Sequence, residues 1–170
     1  MVKKEISTTQ NDSNIQEVLR LLYESPGQLE RLSQGLSDPQ LQEPLGSGER
    51  SFTEAVAHLI NCEARSSEAI YLALLADEPI LIDIHAERDL GRLLRFDLLP
   101  FAELLAYFKL RRRVLLRVLE SLTQEKWSSC IREKGKQRKE SVFWRARGQA
   151  YHEFEHLRDL ETKLNRISYK

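Results

Sequence analysis

Cysteine, glycine and proline are scarce in this 170-residue sequence, which has two cysteines, seven glycines and five prolines. Cys62 and Cys130 could form one disulfide at most, and a chain long enough to bury its own core does not need it. We interpret both as reduced thiols. With 41% hydrophobic and 31% charged residues, the composition favours one domain of amphipathic helices over short strands joined by turns.

Long apolar runs and an excess of one charge are also absent. No segment approaches the roughly 20 apolar residues of a membrane-spanning helix, and the polar residues 1–14 contain no apolar stretch of signal-peptide length. The 26 basic and 26 acidic residues balance, so the overall field favours neither nucleic acid nor an anionic membrane surface. We expect a cytoplasmic protein that binds neither.

Apolar residues recur at intervals of three and four in four segments, which is the spacing of one buried helix face. These segments are residues 14–23 with a weak continuation to 36, residues 51–76, residues 99–122 and residues 141–167. The second begins with the capping-box pattern of Ser51 and Glu54. Four helices of this length predict an all-α fold, a four-helix bundle.

The segments between the helices are expected to be irregular. Prolines and glycines mark residues 37–50 as a loop, and residues 123–140 form a charge-rich loop. Residues 77–98 are too many for a tight turn, so they predict a long crossover between the second and third helices. We place a single domain over residues 13–170, after a flexible N-terminal tail of residues 1–12.

Histidines give the strongest chemical signal. His152 and His156 are four residues apart on the predicted fourth helix, so their Cβ atoms lie about 5–6 Å apart on one face. Two such imidazoles can share a metal ion, and a catalytic site typically adds a third protein ligand and keeps one open position. We prefer His58 as this third ligand because it lies in a helix, whereas His85 lies in the crossover.

Two other interpretations compete with a three-histidine site. An H-x-x-x-H pair also arises by chance on exposed helix faces. The run His152-Glu153-Phe154-Glu155-His156 further matches the H-E-x-x-H signature of zinc proteases, whose glutamate is the general base. Against a protease, the 14 residues after His156 offer no further ligand of the zincin kind, and no edge strand that could align a peptide is predicted.

Together these motifs resemble the DinB-like (DinB/YfiT) superfamily over about residues 13–165. The resemblance rests on residues 51–59, the long crossover, an arginine-bearing third helix, residues 122–127 and the histidine pair. It implies a four-helix bundle of up-down-down-up topology, a homodimer, and a divalent metal held by His58, His152 and His156. Arg50 departs from the pattern, since many members have an aromatic residue there.

The resemblance implies a site more clearly than a reaction. Known members include thiol S-transferases that use low-molecular-weight thiols and a mycothiol-dependent isomerase. An open three-histidine site can lower the pKa of bound water or bind a thiolate. We therefore expect a metal-dependent enzyme acting on a small-molecule substrate, such as a low-molecular-weight thiol, by S-transfer or hydrolysis. The alternative is a non-catalytic dimerisation or sensing module whose metal site is structural or empty.

Neither the metal nor a catalytic residue can be chosen from these motifs, and zinc, nickel, iron and manganese all stay open. Three charged residues nevertheless fall inside apolar helix stripes: Glu63, Arg112 and Glu153. We expect Arg112 to pair with one of the two glutamates, and a carboxylate to orient a ligand imidazole. The alternative is that all three charged side chains are solvated.

Cys62 lies one turn after His58 on the same predicted helix. Three interpretations of it are open: a fourth metal ligand, a redox-sensitive thiol, or a small buried residue of structural importance. We favour the last.

Overall fold

Four long helices dominate the computed structural model, which describes residues 6–168. The seven α-helices are α1 (Asp12–Ser33), α2 (Asp38–Gln42), α3 (Phe52–Leu75), α4 (Arg92–Leu94), α5 (Phe101–Glu120), α6 (Gln124–Trp127) and α7 (Val142–Ser168). Both α1 and α3 pack against α5 and α7, so the predicted four-helix bundle is confirmed. None of the described helices is long and apolar enough to cross a membrane.

The predicted capping box starts α3, the helix that carries His58. The Ser51 hydroxyl accepts a hydrogen bond from the Glu54 amide at 3.1 Å, and the Glu54 carboxylate accepts from the Ser51 amide at 2.7 Å. These bonds satisfy two amides that would lack partners at a helix start. The local sequence therefore determines where α3 begins.

The segments between the long helices are more ordered than predicted. Residues 37–50 include α2, and the crossover contains strand β1 (Ile80–Leu81), a π-helical turn (Ala86–Gly91), α4 and a 3-10 turn (Phe96–Leu98). Strand β2 (Cys130–Glu133) pairs in parallel with β1 and antiparallel with β3 (Lys139–Ser141). This small sheet was not predicted, because strands of two to four residues are too short to show an alternating pattern.

The described part of the predicted N-terminal tail lies against the bundle. Ile6 is 4% exposed, and the Arg147 guanidinium donates hydrogen bonds to the carbonyl oxygens of Ile6 and Ser7. Gln10 donates to Ser128 at 2.9 Å. Residues 1–5, for which flexibility was also predicted, lie outside the described residues.

Buried apolar side chains form two clusters. The first includes residues beside the small sheet, namely Leu81, Trp127, Ile131 and Phe143. The second includes residues around the start of α3 and the middle of α7, namely Phe52, Leu59, Phe101 and Leu157. Because Leu59 and Leu157 directly follow His58 and His156 in sequence, the second cluster supports the backbone that carries two of the three histidines.

The Arg112 side chain is 1% exposed and joins the helices through ionic hydrogen bonds. It donates to both Glu153 carboxylate oxygens, at 2.5 and 2.8 Å, and to Glu63 at 3.1 Å. It also donates to the Leu22 carbonyl and the Ser25 hydroxyl, each at 2.7 Å. The predicted pairing of Arg112 with a buried glutamate is therefore confirmed, and it includes both glutamates.

Proline explains why Arg112 finds an acceptor on α1. Pro26 has no amide hydrogen, so the Leu22 carbonyl, four residues earlier, lacks its usual helix donor. Arg112 donates to that carbonyl. Helix α1 therefore continues through Pro26, where the sequence predicted only a weak continuation.

We predict that Arg112→Met destabilises the fold by about 3–5 kcal/mol, because two buried carboxylates would lose their cation. Urea denaturation gives the free energy of unfolding. Arg113→Met is the matched control, because Arg113 follows Arg112 in the sequence and its side chain is exposed. A change at the surface usually alters stability by less than about 0.5 kcal/mol. If both variants lose an equally small free energy of unfolding, the Arg112 network contributes little to the stability of the fold.

Candidate metal centre

The structure brings together the three histidines singled out from the sequence. His58 lies on α3, and His152 and His156 lie on α7. The His152 Nε2 atom is 3.3 Å from His58 Nε2 and 3.1 Å from His156 Nε2. One nitrogen from each residue lies within 4.8 Å of the other two. The three rings therefore converge on one small volume between two helices.

This spacing fits a single divalent cation. Two imidazole nitrogens bound at 2.0–2.1 Å to one tetrahedral ion would be about 3.3–3.4 Å apart, close to the two separations measured from His152 Nε2. The ring planes are inclined to one another by 56° to 65°, so the rings point inwards rather than stacking. Imidazole nitrogen is a donor that zinc and neighbouring transition metals accept.

The protonation of the two α7 histidines also suits metal binding. Burial, followed by the nearby His58, lowers the pKa of His152. Burial, followed by His152, lowers the pKa of His156 to about 4. Both rings are consequently neutral near pH 7, and a neutral imidazole has the free lone pair that a metal requires.

A residue of the crossover, Glu87, contacts the third histidine. Its carboxylate lies 2.5 Å from His58 Nδ1. A carboxylate that accepts the Nδ1 proton leaves the lone pair on Nε2, the atom that faces the other two histidines. Glu87 is therefore placed to fix the tautomer and orientation of His58. Sequence reasoning missed it, because 29 positions separate the two residues and no motif marks the crossover.

His85 has a structural place beside the site. Its Nδ1 atom accepts hydrogen bonds from the amides of Glu87 and Arg88, at 3.2 and 3.1 Å. These bonds cap the π-helical turn Ala86–Gly91, which packs against α3. The preference for His58 over His85 in the cluster agrees with this geometry, and His85 supports the turn that carries Glu87.

Comparison with known proteins supports the fold. A model of the DinB superfamily matches residues 21–160. The chain belongs to the DinB superfamily. It is similar in structure to YfiT from Bacillus subtilis, with a TM-score of 0.84 at 15% identity over 98% of this chain and 94% of that one. That protein is described as a probable metal-dependent hydrolase with an unusual four-helix bundle topology. No curated protein matches.

In this DinB superfamily chain, the two buried glutamates lie in the arginine network. Glu153 accepts hydrogen bonds from Ser25 at 2.8 Å and Gln149 at 2.6 Å, in addition to those from Arg112. Among the described residues, neither Glu63 nor Glu153 contacts an imidazole. Glu153 is thus engaged on both oxygens, which leaves the metalloprotease interpretation without its general base.

Cys62 lies beside the histidines but outside the donor cluster. Its sulfur is 3.7 Å from His58 Nε2, yet the atoms that mutually approach within 4.8 Å belong to the three histidines. Burial, followed by the charge of Glu87, raises the pKa of the thiol to about 12. The thiolate is the form that binds metal or attacks an electrophile, so the geometry agrees with a structural role.

Two clefts of the DinB superfamily protein reach the histidine centre. One has a volume of about 550 Å³ and includes His58 and Glu87 in its walls. The other, of about 480 Å³, includes His156 and Lys163. Arg50 lines both. These volumes are within the range that accommodates small molecules, so the centre is open to a ligand.

We predict that the chelator-treated protein loses stability as the pH falls from about 6.5 towards about 4. In this interval the histidines of the unfolded chain take up protons, while the folded state holds the His156 pKa at about 4. The free energy of unfolding in urea, measured across the interval, should fall less steeply for His156→Ala. If the free energy of unfolding of His156→Ala falls as steeply with pH as that of the wild type, the pKa of His156 is not lowered in the folded state.

Proposed function

We propose that this protein is a divalent-metal-dependent enzyme in which His58, His152 and His156 hold the metal. The observation that carries the proposal is the convergence of three imidazole nitrogens, with neighbouring separations of 3.3 and 3.1 Å. Three protein donors and an adjoining cleft are typical of catalytic sites, whereas structural zinc sites are closed by four protein ligands.

A divalent cation at this position supplies Lewis acidity, which lowers the pKa of a water molecule or a thiol. The residues of the chain position the donors. Glu87 holds the Nδ1 proton of His58 and directs its Nε2 inwards. Arg112 binds Glu153, the neighbour of His152 on α7, and so restricts rotation of the helix that presents two donors. The cleft admits the substrate beside them.

The substrate is proposed to be a small molecule, and the reaction to be hydrolysis or thiol S-transfer. The structural similarity to YfiT, described as a probable metal-dependent hydrolase, supports the first reaction. For the second, the attacking thiol is proposed to come from a co-substrate, because Cys62 lies outside the cluster of donor atoms. The resemblance to thiol transferases of the superfamily supports such a co-substrate.

Two probe reactions separate these chemistries. Hydrolysis of p-nitrophenyl acetate reports on activated water, and conjugation of 1-chloro-2,4-dinitrobenzene with added glutathione reports on an activated external thiol. Either activity should require added metal and His58. Bound metal without turnover of either probe would instead favour the sensing module.

A homodimer, implied by the family resemblance, also remains a proposal. Helix α5 leaves Tyr107, Leu110 and Val114 exposed at intervals of three and four residues, the spacing of one helix face. This stripe is the surface that we assign to a second copy of the chain.

We predict that the purified protein, without a histidine tag, binds about one equivalent of a divalent transition metal. His58→Ala and His156→Ala should each lose the tightly bound metal, because two imidazoles remain where three protein ligands are needed. Elemental analysis after gel filtration measures the content. Arg113→Ala, which changes an exposed side chain of α5, is the control and should retain the metal. An equal metal content in all four proteins would refute the proposed ligands.

We further predict that Glu87→Gln lowers zinc affinity by about 10- to 100-fold while the stoichiometry stays the same. Removing the carboxylate that orients a ligand histidine typically has this effect. Competition with a chromophoric chelator measures the affinity. Glu68→Gln is a suitable control, because Glu68 lies on the same helix as His58 but pairs with Arg65. If Glu87→Gln binds zinc as tightly as this control, Glu87 has no orienting role.

A further inference from the structure

The cleft beside His58 has an unusually basic wall. Four arginines line it: Arg50 from the segment before α3, and Arg88, Arg92 and Arg95 from the crossover. Its acidic residues are occupied. Glu54 accepts a hydrogen bond from the Ser51 amide, Asp97 accepts one from Arg95, and the Glu87 carboxylate contacts His58 Nδ1.

The arginines differ in whether they already have a partner. Two of them bind an aspartate close by in sequence, namely Arg88 with Asp89 and Arg95 with Asp97. Arg50 is 3.7 Å from Glu87, a long contact. Arg92 is exposed and has no ion pair within residues 6–168. The cleft therefore presents one uncommitted guanidinium, and a second that is held only loosely.

Asn61 of α3 contributes an unpartnered side-chain oxygen to the same cleft. Asn61 is 3% exposed and lines the same cleft, and its Oδ1 atom has no hydrogen-bond partner among the described residues. Burying an unsatisfied amide costs about 1–3 kcal/mol. Asn61 follows His58 by three residues, so both side chains lie on one face of α3. A destabilising amide at this position indicates a polar ligand.

We infer that this cleft binds a small carboxylate-bearing molecule, with the carboxylate on Arg92, a polar group on Asn61 and the reacting atoms towards the three histidines. A guanidinium binds a carboxylate through two parallel hydrogen bonds. The cleft volume of about 550 Å³ suits a molecule of metabolite size. The last element alone, the position of the reacting atoms, rests on the proposed metal-dependent function.

The test compares two probes of equal length, glutarate and its uncharged diamide, glutaramide. They are titrated into the chelator-treated protein and followed by ¹H–¹⁵N NMR, which reports on the Asn61 side-chain amide directly. Glutarate should bind at least about tenfold more tightly than glutaramide and shift the Asn61 resonances. Equal affinity for both probes, or no shift of Asn61, would overturn the inference.

Two variants identify the residues. Arg92→Gln should lower glutarate affinity about tenfold, which corresponds to the loss of about 1.4 kcal/mol. Arg113→Gln, an exposed arginine outside the cleft, should not. Asn61→Leu should also weaken glutarate binding, while its thermal unfolding midpoint stays level or rises because an unsatisfied amide is removed. Unchanged glutarate affinity in Arg92→Gln would overturn the anion site.

Zinc content separates this inference from the proposed function. Arg92→Gln should bind as much zinc as the wild type, because Arg92 is not among the three donors. Selective glutarate binding by a wild type that binds none of zinc, nickel, iron and manganese would support the anion site and refute the metal proposal. Zinc binding without selective glutarate binding would support the metal proposal and refute the anion site.

Discussion

The buried Arg112 guanidinium is the contact on which the arrangement of the four long helices depends. It extends from α5 to Leu22 and Ser25 on α1, Glu63 on α3 and Glu153 on α7. Burial by itself would lower the pKa of Arg112, but attraction to Glu153 and Glu63 raises it above the ordinary value. A charge that is expensive to bury is thus retained where four helices can share it.

The histidine centre follows from that constraint. Glu153 lies between the two metal-donor candidates on α7, so the rotation that brings Glu153 to Arg112 also determines where His152 and His156 point. The third donor depends on the crossover, where His85 caps the turn that carries Glu87, and Glu87 orients His58. Three separate parts of the chain therefore have to pack correctly before the three nitrogens converge.

The features predicted from sequence were those with a local or periodic cause. The capping box of Ser51, the four-residue spacing of His152 and His156, and the charge of Arg112 within an apolar stripe each leave a pattern in a short stretch. The choice of His58 over His85 needed only their positions in a helix and in an irregular segment.

What sequence reasoning missed depends on contacts between distant residues. Glu87 approaches His58 only because the crossover folds back on α3, and the pairing of β1 with β2 joins segments about fifty residues apart. Only a weak continuation of the first helix past Pro26 was predicted, because the donor that compensates for the missing amide hydrogen, Arg112, lies on another helix. None of these partners can be found without the packed structure.

X-ray absorption spectroscopy of the zinc-loaded protein tests the central claim, that three histidines form an open metal centre. We expect nitrogen or oxygen neighbours at about 2.0–2.1 Å, imidazole scattering that fits three rings, and no sulfur at about 2.3 Å. A sulfur neighbour would show that Cys62 closes the site as a fourth protein ligand. That result, or scattering from fewer than three imidazoles, would show that the three histidines do not form an open metal centre.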